Sequence, residues 1–210
     1  MHEPDLFSSG LAEELARHAP LATRMRPRTL DEVAGQSELL GPEGPLRRSL
    51  ASGTAGSMVL FGPPGTGKTT VARLVAEELG AAFSELSAVN SGVADVRRVL
   101  LEAEQRRGER GRRTVLFIDE IHRFSKSQQD ALLHAVEDGV VTLVGATTEN
   151  PYFEVIAPLV SRSDLYRFRQ LSVDELSGLL DRALQDDERG ITGVDVPPEI
   201  RRAIAEAALG

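Results

Sequence analysis

The sequence predicts an α/β fold: a five-stranded parallel sheet between helices, followed by a short all-helical segment. Three observations predict it. Apolar runs of strand length alternate with segments of helical period over residues 57–169, a glycine-rich loop joins the first run to its helix, and from Ser172 the strand pattern stops.

In chain order, residues 1–20 are a polar, Ala-rich leader with no strand pattern, expected to be partly mobile. Residues 21–170 hold the alternating pattern and are expected to form the main domain. A helix is expected over about 45–51, and Ser57-Met58-Val59-Leu60-Phe61 reads as a buried strand. Thr70 opens a segment with helical spacing that closes on Gly80. Further strands are expected near 83–86, 114–118, 140–145 and 165–169, with helices near 93–107 and 125–136. This alternation argues for a parallel sheet with helices on both faces. Residues 171–210 carry two helical patterns, 173–186 and 198–209, joined by a turn holding Gly190 and Gly193. That region reads as the start of a helical subdomain cut short at Gly210.

The loop after the first strand is Gly62-Pro63-Pro64-Gly65-Thr66-Gly67-Lys68-Thr69, a complete G-x-x-x-x-G-K-[ST] phosphate loop, followed at once by Thr70 and the helix. Glycines let the backbone curl until successive N–H groups point at phosphate oxygens, and the helix start adds its positive dipole end. Lys68 then reaches the β and γ phosphates as a point charge, and the Thr69 hydroxyl is placed to ligate Mg²⁺. The pattern implies a bound nucleoside triphosphate.

Thr114-Val115-Leu116-Phe117-Ile118-Asp119-Glu120 is an unbroken apolar run ending in two acids, the pattern of a central parallel strand that delivers carboxylates to its C-terminal edge. Ligands bind at that edge in open α/β sheets. Asp119 suits a contact to Mg²⁺, and Glu120 suits orienting or deprotonating an attacking water. Two acids beside a phosphate loop imply hydrolysis rather than binding alone.

Composition narrows the class without naming it. The net charge is −8, so any nucleic-acid partner must be held by a local patch, of which residues 106–113 are the densest. The same run suits a solvated loop between a helix and the strand at Thr114. Two lysines stand against 22 arginines, a bias of the kind a GC-rich genome produces. There are no cysteines and four scattered histidines, so neither disulfides nor a zinc pattern is present. No run approaches the ~20 apolar residues of a membrane span, and Glu3 and Asp5 stand where a signal peptide would be basic, so the cytoplasm is expected.

Taken together, the phosphate loop, the strand ending Asp119-Glu120, Val144-Gly145-Ala146-Thr147-Thr148-Glu149-Asn150 and the turn Leu159-Val160-Ser161-Arg162-Ser163 resemble an AAA+ ATPase. Within that superfamily the segments starting at Leu21, Ser87, Phe117 and Gly145 resemble the RarA/MgsA (replication-associated recombination protein A) family over residues 21–210. The phosphate loop and acidic strand are common to the superfamily. The narrow signals are His122-Arg123-Phe124-Ser125-Lys126-Ser127-Gln128-Gln129-Asp130 and the Thr147-Thr148-Glu149-Asn150-Pro151 stretch.

The resemblance implies an AAA+ P-loop core with the start of a helical lid, and a bacterial, nucleoid-associated ATPase using ATP and Mg²⁺ in replication-fork maintenance, recombination and repair. Forked or single-stranded DNA is the implied partner, with single-strand-binding protein and the sliding clamp as further replication partners, and no membrane. By the same resemblance Thr147 is the polar sensor of the γ-phosphate, and Arg162 is the arginine finger reaching a neighbouring subunit's nucleotide. Arg26, Pro27, Val33 and Gly35 lie where the family cradles adenine, and Ser87 stands where a polar residue restrains the catalytic acid. His122 reads either as a substrate or relay contact or as a cap of the strand-to-helix turn. Gln128, Gln129 and Asp130 are candidates for a subunit interface, and Asp5-Leu6-Phe7 faintly resembles a clamp-binding peptide.

Departures matter equally. One helix fits between Glu120 and Thr147, without the β-hairpin of branch-migration motors of the RuvB type, and residues 84–93 lack an unfoldase pore loop. Both favour the clamp-loader-like branch, with a clamp-loader subunit, an ATP-switched scaffold and a branch-migration motor as alternatives. The family's second arginine sensor and oligomerisation domain are not in the sequence, so this chain is expected to be mainly monomeric and to hydrolyse ATP poorly.

Overall fold

A computed structural model describes residues 19–208, so most of the leader, including Asp5-Leu6-Phe7, lies outside the described residues. Thr29–Gln170 forms one compact unit, and the chain up to Arg28 together with that from Leu171 forms the other. In chain order the helices and strands are α1 (Leu21–Arg24), α2 (Ser37–Leu40), α3 (Pro45–Ala51), β1 (Met58–Phe61), α4 (Lys68–Glu78), β2 (Ala82–Ser87), α5 (Val93–Arg110) and β3 (Thr114–Asp119). They continue with α6 (Lys126–Glu137), β4 (Thr142–Thr147), α7 (Pro151–Glu154), α8 (Ala157–Val160), β5 (Asp164–Arg167), α9 (Val173–Gln185) and α10 (Pro198–Ala207). Two 3₁₀ turns, Leu30–Glu32 and Ile121–Arg123, complete the set.

The five strands form one sheet in the order β2-β3-β4-β1-β5, and every neighbouring pair is parallel. β3 shows why its sequence carries no polar interruption. Val115 and Phe117 enter one apolar cluster, with Val71, Leu74 and Val75 of α4. Leu116 and Ile118 enter the other, with Val96 and Val99 of α5 and Leu132 of α6. Successive strand residues face opposite sides, and helices cover both sides, so each position needs an apolar side chain.

Register places the chemistry. Phe61 at the end of β1 pairs with Thr147 at the end of β4, and the Gly62 N–H donates to the Thr147 carbonyl at 3.1 Å. Ser87 at the end of β2 pairs with Asp119 at the end of β3. Ser57 helps hold this alignment: its hydroxyl oxygen accepts the Leu143 N–H at 2.9 Å, and its carbonyl accepts the Asp164 N–H at 3.0 Å. One residue thereby ties β1 to both of its neighbours.

The five expected strands are all present, with ends shifted by up to two residues. α4 begins at Lys68 rather than Thr70, because Gly67 itself ends the loop at φ 91° and the helix starts on the next residue. α5 runs on to Arg110, so the basic run 106–113 is helix and a short link rather than a loop. Two of its arginines are engaged within the fold: Arg106 donates to Thr114 Oγ1 at 3.2 Å, and Arg107 donates to the carbonyls of Asp138 (3.1 Å) and Gly139.

In the other unit, α9 starts on a capping box in which Ser172 and Glu175 satisfy each other's backbone N–H groups. Arg201 of α10 pairs with Asp181 of α9. The turn between them closes through Ile191 N–H to the Ala183 carbonyl at 2.8 Å; a Cβ on Gly190 would stand 2.2 Å from that same oxygen.

Candidate nucleotide site

At the C-terminal edge of β1 and β3, a cleft of about 380 Å³ is lined by residues 64–70, Asp119, Glu120 and Thr148. Sequence separated the phosphate loop from the acids; the sheet order brings them to one edge, with only β4 between their strands. Among the described residues no helix is long and apolar enough to cross a membrane, and no cluster of three or more His, Asp or Glu side chains forms a metal cage.

The loop's shape follows from Gly62, at φ 144°, where a Cβ would stand 2.2 Å from the Phe168 carbonyl oxygen. Only glycine lets the backbone pass there. Thr66 closes the loop internally by donating to the Pro63 carbonyl at 2.9 Å. Lys68 is buried, and its Nζ donates to the carbonyls of Gly62 at 2.8 Å and Pro63 at 2.7 Å. Burial pushes the Lys68 pKa below the ordinary lysine value, opposed by the negative charges of Glu120 and Asp119.

Asp119 ends β3, and its Oδ1 accepts the N–H of Glu120 at 3.1 Å. Glu120 is left-handed, at φ 52° and ψ 48°, one of two non-glycine residues with positive φ among those described. That conformation costs roughly 1 kcal/mol or more, and such strain concentrates at functional sites. It ends the strand and turns the carboxylate aside from the strand direction.

Thr147 and His122 lie behind the acids. The Thr147 side chain is fully buried, and its Oγ1 accepts the Glu149 N–H at 3.0 Å and lies 2.9 Å from His122 Nδ1. The same Nδ1 is 3.3 Å from Glu120 Oε2. His122 therefore joins two site residues rather than capping the strand-to-helix turn. Thr148, not Thr147, lines the cleft wall.

The other expected site residues stand elsewhere. Arg162 follows α8 and does not line the cleft; its guanidinium pairs with Glu137 Oε1 at 2.6 Å and donates to the Pro158 carbonyl at 2.9 Å. Ser87 is exposed, and Glu120 contacts His122 instead. Val33 packs partly buried against the first apolar cluster, and Gly35 sits at φ 67°; neither lines the cleft of the phosphate loop and the acids. Arg26 and Pro27 belong to the other unit. Gln129 is not at the surface: it is buried and bonds the Phe124 and Glu154 carbonyls, each at 3.1 Å, and the Ile156 N–H at 2.8 Å. Three backbone groups from two segments take both of its N–H donors and one lone pair of its oxygen, and burial keeps it from a subunit interface.

Sequence reading passed over Gln36, His122 as a link, and the helices α2, α7 and α8. Gln36 lines a second cleft of about 980 Å³, with Phe61, Pro63, Tyr152, Arg167 and Arg169. Local signals were present at α7, an Asn150 cap followed by Pro151 at the first helical position, and more weakly at α8, which has Pro158 in its first turn.

Residues 58–171 match the family described as "ATPase family associated with various cellular activities (AAA)". The chain belongs to the AAA family. Within it, the chain is 49% identical over 193 residues to Replication-associated recombination protein A of Escherichia coli K12, covering 91% of this chain and 43% of that protein. It is 43% identical to ATPase WRNIP1 of Dictyostelium discoideum over 80% of this chain and 19% of that one. The chain thus spans about two fifths of the length of its bacterial relatives. Among solved AAA-type structures, the RuvB Holliday junction branch migration motor of Thermotoga maritima superposes with a TM-score of 0.69 at 32% identity, over 87% of this chain and 59% of that one. This AAA chain thus has the five-stranded P-loop core expected of it, and its relatives carry names tied to replication-associated recombination.

Proposed function

We propose that this AAA chain is the nucleotide-binding part of a DNA-dependent Mg²⁺-ATPase of the clamp-loader-like branch, acting at replication forks in recombination and repair. The observation that carries the reading is the single cleft shared by the phosphate loop, Asp119 and Glu120. The relatives' name, Replication-associated recombination protein A, supports the replication and recombination setting; a bacterial cytoplasm with the protein at the nucleoid is part of the same proposal.

In this reading the loop N–H groups from Gly65 to Thr70, at the start of α4, hold the triphosphate, and Lys68 leaves the Gly62 and Pro63 carbonyls for the β and γ phosphates. Thr69 and Asp119 both line the cleft and offer oxygen donors, the set Mg²⁺ takes alongside phosphate oxygens and water. Bound Mg²⁺ supplies positive charge against the phosphates. Glu120 orients the attacking water, Thr147 senses the γ-phosphate from the end of β4, and Arg162 serves a neighbouring subunit of a homo-oligomer. Adenine packs against Val33 and Gly35.

ATP turnover is measured with and without forked and single-stranded DNA, for wild type and Glu120→Gln. Expected are stimulation by DNA and loss in the variant with ATP still bound; a Glu120→Gln variant as active as wild type removes the hydrolytic assignment. The likeness to RuvB favours a second reading, branch migration. A four-way junction that stimulates turnover above forked DNA would select it, although β3 and β4 are joined only by a 3₁₀ turn and α6.

A further inference from the structure

We infer that His122 is a positioning residue that couples Thr147 to Glu120 through a single ring nitrogen, an inference resting on the hydrolytic reading above. The argument is one of donors and acceptors. Nδ1 of His122 stands 2.9 Å from Thr147 Oγ1 and 3.3 Å from Glu120 Oε2, and the imidazole is largely buried. A carboxylate oxygen 3.3 Å away favours an N–H over a bare lone pair at Nδ1, because the lone pair would face it with like negative charge. Thr147 Oγ1 then accepts from Nδ1–H.

Its second lone pair takes the Glu149 N–H at 3.0 Å. With both lone pairs filled, the Thr147 hydroxyl is fixed as a donor, the role suited to a phosphate oxygen or a water. The same Nδ1 lies 3.3 Å from one oxygen of the Glu120 carboxylate, a charge contact rather than a second aligned hydrogen bond, and the Glu120 backbone is already held left-handed. Any change in the Thr147 hydroxyl therefore alters how the Nδ1–H is aimed, and with it the charge contact to Glu120. The line runs from the Glu149 N–H, in the loop leading to α7, across Thr147 and His122 to Glu120.

The test has two arms on the same chain. Nitrogen-15 spectra of the His122 ring are expected to show a proton on Nδ1, with its resonances moved by both Glu120→Gln and Thr147→Val. An Nε2–H tautomer, or no response to either substitution, overturns the coupling. In single-turnover hydrolysis, His122→Ala is expected to slow the chemical step tenfold or more with ATP affinity within twofold of wild type. His122→Asn, whose side-chain N–H stands near the place of Nδ1–H, is expected to restore the rate to within threefold. A rate unchanged in His122→Ala overturns the positioning role, as does an Asn variant as slow as Ala while equally well folded. Absence of hydrolysis by wild type itself counts against the ATPase reading, and the spectra still decide the coupling.

Discussion

Gln36 grips the backbone of Arg169 with two hydrogen bonds: its amide nitrogen donates to the Arg169 carbonyl at 2.7 Å, and its amide oxygen accepts the Arg169 N–H at 3.0 Å. The two residues are 133 positions apart in the chain, and Gln36 is buried in a left-handed conformation at φ 55°. The amide continues, across a gap, the pairing that β5 makes with β1. Removing it orphans two backbone groups at about 1–3 kcal/mol each. Gln36→Ala is expected to cost about 2–4 kcal/mol in urea unfolding, and a loss under about 1 kcal/mol would mean that water replaces the amide.

Lys68 yields a prediction with a definite sign. Its folded pKa is lowered by burial, so the folded chain binds protons there less readily than the unfolded chain. Its charge thus opposes folding at neutral pH, and the opposition fades as pH rises through the folded pKa towards the ordinary lysine value of about 10.4. Lys68→Met should raise the urea midpoint of the ATP-free chain at pH 7, with a gain that shrinks at higher pH. The same variant should bind ATP about 1.5–3 kcal/mol more weakly, through loss of charged hydrogen bonds. A midpoint below wild type at pH 7 would show that the Gly62 and Pro63 contacts outweigh desolvation.

At Gly62 the obstacle is backbone, not a side chain that can swing away, since the added Cβ would meet the Phe168 carbonyl. Gly62→Ala is expected to destabilise by about 1–3 kcal/mol and to weaken ATP binding, because the loop must shift to admit the methyl group. Calorimetry of folding and of ATP binding on one sample checks both; an unaltered ATP affinity would separate the start of the loop from its phosphate-holding part.

Arg162 forms an ion pair with Glu137 that is substantially exposed, so its contribution to stability is small, about 0–1 kcal/mol. If it acts as an arginine finger, Arg162→Ala should lower turnover by roughly 10³- to 10⁵-fold with ATP binding retained. In an assembled homo-oligomer, mixing Arg162→Ala with Lys68→Met subunits should then restore part of the turnover, because each supplies the half of the site that the other lacks. Turnover within tenfold of wild type for Arg162→Ala alone removes the assignment.

Ser57 offers a check on the sheet itself. Its hydroxyl is the acceptor for the buried Leu143 N–H, so Ser57→Ala is expected to cost about 1–3 kcal/mol. Exchange of the Leu143 amide with deuterium should speed up in parallel.

The phosphate loop, the acidic strand end and the five-strand alternation were legible because their chemistry is local. A loop that wraps phosphate needs glycines and a lysine at fixed spacing, and a strand buried on both faces needs an unbroken apolar run, whatever the rest of the chain does. Residues 62–70, Asp119 and Glu120 therefore announced themselves from composition and spacing alone. Tertiary structure decided which of these elements meet: the order β2-β3-β4-β1-β5 sets β1 and β3 on either side of β4 and so brings loop and acids to one cleft. It also decided the roles of Gln36, His122 and Gln129, whose partners lie 133, 25 and 27 residues away for Arg169, Thr147 and Ile156. A polar side chain's sequence neighbours do not say which distant backbone group or hydroxyl it will satisfy, because that pairing exists only after the sheet has closed around it.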